Sequence, residues 1–92
     1  MYAVVVNANI AEGQFDPARK HLRETVVPRV SQQPGLVKAY WSTSSDSRSG
    51  LSFVVFKTRQ DAESAATMVR STPPPPGVTL ANVEIREIVA EA

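Results

Sequence analysis

Four residues of this 92-residue chain combine types and positions suited to holding a small molecule: Asn7, Tyr40, Phe53 and Arg86. Each falls on a stretch that reads as a β-strand, and by the alternation of strand side chains all four project from one face of a sheet. An amide on an otherwise apolar face must find hydrogen bonds, either inside the protein or to a ligand carbonyl or hydroxyl. Tyr40 and Phe53 are the aromatic walls that a pocket for a planar or apolar molecule would use. Arg86 lies close to Glu84 and Glu87, so it is placed for ion pairs along its strand or for recognising a carboxylate.

No residue is assigned a catalytic role. His21 is the only histidine, and its position just before Leu22 predicts a side chain beside a buried stripe, facing solvent. An acid–base histidine needs a pocket and an orienting partner, and the sequence shows neither. Glu24, Asp46, Asp61, Glu63 and Glu91 are spread over solvated positions, with no pair spaced for acid–base work or metal. There is no glycine-rich phosphate loop and no nucleophile motif. Without cysteine there are no disulfides, no thiol chemistry and no thiolate zinc site. The net charge of +1 creates no field that would point to nucleic acid.

The elements that must position these residues follow from the patterning. A chain of 92 residues with 42% hydrophobic and 21% charged residues is expected to form one globular domain over residues 1–92. Residues 2–9 (YAVVVNAN) are rich in β-branched side chains and read as a first strand. Asp16 and Pro17 mark a helix start. Ala18, Leu22, Val26 and Val30 then fall four apart, a narrow stripe for covering a sheet. Pro28 interrupts that stripe and predicts a kink or a last turn that is not α-helical.

Residues 36–43 and 51–57 form the next two strands, joined by the polar loop SSDSRSG. Thr58 to Asp61 resembles a capping box with Asp in place of Glu. Ala62, Ala65, Ala66 and Val69 repeat at helical spacing with small side chains, so the second helix should approach the sheet closely. A stiff STPPPPG connector leads to a last strand near residues 81–89. No basic stretch precedes residues 2–6 and no apolar run approaches the ~20 residues of a bilayer span. Neither a signal peptide nor a membrane anchor is expected, and a cytoplasmic location is.

The order β-α-β-β-α-β with right-handed crossovers implies an α+β, ferredoxin-like fold, an antiparallel sheet with both helices on one face. Val4, Val6, Val37, Val54, Phe56, Val83 and Ile85 are assigned to the helix-covered face. Val5, Asn7, Tyr40, Leu51, Phe53, Val55 and Arg86 are assigned to the other. Burying about five of those apolar side chains gives roughly 7–15 kcal/mol gross. That matches the ~4–15 kcal/mol cost of association, so a homodimer through this face is the expected partner arrangement.

Three passages carry a resemblance to a known family: the short first strand with Asn7 near its end, PGLVKAYW leading into strand two, and FVVFKTRQDAESAA running from strand three into the alanine-rich helix. Together they resemble the dimeric α/β-barrel superfamily that includes the antibiotic biosynthesis monooxygenases. The resemblance covers most of the chain. It implies a dimeric α/β barrel with a small, mainly apolar cavity, and binding or turnover of a small organic molecule, aromatic ones included, without metal, haem or flavin. It further implies that Asn7 would hold a substrate oxygen and Arg86 would steady a developing anion. Catalytic members commonly carry a Trp at the end of strand three and a His in the second helix. This chain has Phe56 and Lys57, then residues 62–69 without histidine, so haem ligation by His is disfavoured.

Two alternatives belong to other classes. A non-catalytic interaction or structural dimer would have a cavity that is absent or filled with side chains. An RNA-recognition motif shares the strand order, and residues 49–56 (SGLSFVVF) overlap its octamer at Gly50, Phe53, Val54 and Phe56. That octamer begins with a basic residue and has an aromatic third, where this chain has Ser49 and Leu51.

Overall fold

The computed structural model describes all 92 residues. β1 (Tyr2–Ile10) is followed by a long first helix, the hairpin of β2 (Leu36–Thr43) and β3 (Ser49–Phe56), a second helix (Arg59–Ser71) and β4 (Val78–Glu87). The sheet order is β2-β3-β1-β4, with each neighbouring pair antiparallel. This is the expected ferredoxin-like α+β arrangement. β4 begins three residues before the expected start, because Gly77 at φ +83° turns the proline connector straight into the strand. No helix is long and apolar enough to cross a membrane.

The two helices cover the sheet differently. The second starts at Thr58, whose side-chain oxygen accepts from the Asp61 N–H at 3.1 Å, as the capping pattern requires. It lays Ala62, Ala65 and Ala66, all buried, against Val4, Val6, Val54 and Phe56. Methyl-sized side chains let its backbone sit close to the strands.

The first helix buries no residue fully. It opens at Phe15 with Gln14 as its cap position, two residues earlier than the Asp16 cap expected from sequence, and that terminus carries no side-chain cap. It consists of α-helical Phe15–His21, a π-helical stretch Leu22–Val26 and α-helical Val27–Ser31. The irregularity predicted from Pro28 is therefore present, but upstream of the proline, and the last turn is α-helical. In an α-ladder the Pro28 ring would crowd the Glu24 carbonyl and offer it no N–H. The Val27 N–H instead reaches back five residues to the Leu22 carbonyl, and the turn widens.

The assignment of faces holds for six of the seven residues placed under the helices: Val4, Val6, Val54, Phe56, Val83 and Ile85 belong to the core or pack on it. Val37 is the exception, 47% exposed. The pairing of β2 with β3 slips between Leu36 and Lys38, so Leu36 opposite Phe56 packs on the core and Val37 is the extra residue. A second slip opposite Asn7 and Ala8 leaves Ala81 as the extra residue of β4 and brings Leu80 onto the core side. Each bulge shifts the side-chain alternation by one, which strict period-two counting cannot anticipate.

Candidate functional site

Space remains where the first helix stands over the sheet. An open cavity of about 500 Å³ lies between that helix, the inner face of the strands and the connector after the second helix. Val6, Ala8 and Val54 form part of its floor, Leu22 and Val26 part of its roof, and Pro73 and Pro75 part of one wall. The cavity exists because the two helices differ. The alanine helix closes down on β1 and β4, whereas no segment of the first helix packs on a strand to a comparable extent. π-Helical turns recur at functional sites because they re-aim side chains without ending the helix.

The charged lining is one-sided, while Ser42, Thr43 and Ser52 add neutral polar groups from the strands. Arg19, His21, Arg23 and Arg29 come from the first helix, and no aspartate or glutamate is among the lining residues. His21 is half-buried and lines the cavity, a correction to the solvent-facing position expected from sequence. The signal was available: His21 lies three residues after Ala18 and therefore shares its helical face, but a stripe counted only in fours passes over it. Trp41, the only tryptophan, also lines the cavity and packs on the core from the edge strand β2. An imidazole and an indole thus meet one space from the first helix and β2.

Asn7, Tyr40, Phe53 and Arg86 share a different face, on which only Tyr40 and Phe53 are direct cross-strand neighbours. All four lie on the outer sheet face, with Tyr40 opposite Phe53 and Asn7 beside Leu51 and Asn82, and none of them lines the cavity. Arg86 pairs with Glu84 at 3.1 Å along the strand. The half-buried Asn7 amide makes no side-chain hydrogen bond within the chain. On this face Ala3 and Val5 are already buried between larger neighbours. The apolar surface left is therefore concentrated on the β2–β3 half, where Tyr40 is 57% and Leu51 41% exposed. The Lys38 ammonium lies 5.8 Å from the Tyr40 ring centroid. The face offers two aromatics, with Val5 on the central strand.

No cluster of three or more His, Cys, Asp or Glu side chains is positioned to hold a metal ion.

No protein-family model matches the chain, and no curated protein matches it. Solved structures do match its fold over nearly the whole length. HapK from Hahella chejuensis superposes with a TM-score of 0.75 at 10% identity, covering 100% of this chain and 96% of its own. SnoaB, a cofactor-independent oxygenase from Streptomyces nogalater, gives 0.69 at 16% identity, over 98% and 95% of the two chains. An antibiotic biosynthesis monooxygenase gives 0.68 at 13% identity, over 98% and 100%. At these identities the likeness is one of fold alone, the ferredoxin-like arrangement described above.

Proposed function

We propose that the protein binds a small, mainly apolar organic molecule in the cavity under its first helix and turns it over by oxygenase-like chemistry without metal, haem or flavin. The observation that carries this reading is the cavity of about 500 Å³, lined mostly by apolar side chains, with basic groups from the first helix and hydroxyls from the strands. The fold shared with SnoaB, a cofactor-independent oxygenase, adds the reaction class. In chemistry of that kind the substrate itself is the reductant. The protein removes a proton, the resulting carbanion gives electrons to dioxygen, and fixed donors steady the charge. His21 is the one imidazole lining the space and takes the role of proton acceptor; Trp41 supplies an aromatic wall. The structural-dimer alternative called for a filled core, and the open space favours a ligand.

The test uses Trp41 as the reporter. Titration with 2-naphthol, a planar probe, should quench its emission saturably, and Ala18→Phe, which fills the cavity from the helix side, should weaken binding by tenfold or more, roughly the 1.4 kcal/mol of a partly lost pocket. Absence of saturable quenching, or quenching indifferent to Ala18→Phe, removes the reading. Oxygen uptake with oxidisable phenols, lost in His21→Ala while binding persists, would establish turnover.

A second reading concerns the outer face. Exposed Tyr40 and Leu51 beside Phe53 and Val55 fit a second copy of the chain, and in that homodimer Asn7, Tyr40, Phe53 and Arg86 would lie at the interface, where they could contact a ligand. Sedimentation should show a dimer that dissociates on dilution, and a monomer at all concentrations would remove it. The same face is the one an RNA-binding module would use, so single-stranded RNA binding that weakens with salt would argue against the dimer. A cytoplasmic location accompanies this proposal, since a cysteine-free chain needs no oxidising compartment, and cell fractionation checks it.

A further inference from the structure

The one-sided charge of the cavity narrows its occupant, on the premise that the cavity is a binding site. Arg19, Arg23 and Arg29 line it without any carboxylate among the lining residues. They are also uncommitted. The two ion pairs of the protein are Arg59 with Glu63 and Arg86 with Glu84, neither of them at the cavity. No side-chain hydrogen bond engages the three guanidinium groups, in contrast to Arg70, which donates to the Val83 carbonyl at 3.0 Å. Arg19 is held only by the Phe15 ring, 5.8 Å from its centroid. Three unpaired, exposed guanidinium groups border one apolar space with no acidic side chain in its lining, and the ligand charge such a border favours is negative.

We infer that the cavity takes an apolar molecule bearing an acidic group, a carboxylate or an ionised phenol on a planar hydrocarbon body. The body lies against Val6, Val54 and Trp41, and the acidic group is met by guanidinium groups of the first helix. Arg19 and Arg23 are four residues apart and can meet two oxygens of one carboxylate. An arginine serves better than a lysine here, because its flat fork matches the two oxygens and stacks on an aromatic ring.

The experiment compares 2-naphthoate with its neutral amide, 2-naphthamide, by calorimetry and by Trp41 emission. The acid should bind about tenfold tighter than the amide, the effect of a charge-assisted hydrogen bond. Arg19→Gln with Arg23→Gln should remove that preference while leaving amide binding in place, and Arg29→Gln should reduce it less. Equal affinities of acid and amide would overturn the inference and leave the cavity reading intact. An acid preference that survives all three substitutions would overturn the assignment to these arginines. Binding of neither probe would remove the cavity reading, and this inference with it. These arginines are exposed on a helix surface, so the variants are expected to fold; unchanged far-ultraviolet circular dichroism checks that.

Discussion

At the residue scale, the β2–β3 loop shows how one carboxylate holds a turn. Asp46 accepts from the Ser44 hydroxyl at 2.6 Å and from the Arg48 backbone N–H at 3.0 Å. The Ser44 bond first, then the Arg48 N–H, lower its pKa below the ordinary carboxylate value. A depressed folded-state pKa contributes stability that is present above the unfolded value and lost as pH falls through the folded one. Asp46→Asn should therefore cost stability at neutral pH, and the difference from the parent should shrink in acid below the carboxylate range. Denaturant midpoints at the two pH values check this; a difference that does not change with pH would mean the loop ignores the charge. Gly77 is a second single-residue constraint, since a Cβ there would run into the Gln14 side chain at a backbone φ of +83°. Gly77→Ala should cost about 1–2 kcal/mol, the penalty of a left-handed backbone for an L-residue, read as a lowered unfolding midpoint.

At the element scale, the two helices divide the work. Thr58 fixes the start of the second, and Thr58→Ala should destabilise by about 1 kcal/mol in urea unfolding. The first helix is irregular and borders the open space. Pro28→Ala restores an N–H and removes the ring that crowds the Glu24 carbonyl, so the ladder should close to α geometry and stability should rise by up to about 3 kcal/mol. Closing the turn also rotates Leu22 and Val26 within the cavity roof, so the same sample should bind 2-naphthol more weakly. A more stable variant with unaltered affinity would show that the π-helical turn does not shape the site. The two bulges, at Val37 and Ala81, perform the matching task in the sheet by bringing Leu36 and Leu80 onto the core.

At the scale of the whole molecule, only nine of 92 residues are fully buried, a small core shared between one closed side and one open side. A chain of this size gains stability from any occupant of its folded form, whether a ligand under the first helix or a second copy on the outer face. Tyr40→Asp places a charge opposite Phe53 on that outer face, at an exposed residue that does not line the cavity. It should abolish the dimer in sedimentation while leaving probe binding in the cavity intact. Loss of both together would mean that the cavity depends on the dimer.

The strand and helix order, the alanine helix with its Thr58 cap, the break caused by Pro28 and six of the seven inward-facing residues were legible in the sequence. They follow from local rules: alternation, helical spacing, capping and the missing proline N–H act over a few residues and need no knowledge of the rest. The bulges at Val37 and Ala81 were not legible, because an extra residue in one strand is defined only by the strand it pairs with. The site was legible least. Asn7, Tyr40, Phe53 and Arg86 do share a face, as alternation requires, but the side of the sheet that retains open space depends on how far each helix stands from it. That distance depends on side-chain bulk summed over two layers, which no local rule reads. It was tertiary packing that brought His21 and Trp41 to one cavity and lined it with arginines, whereas the sequence by itself determined the elements that carry them.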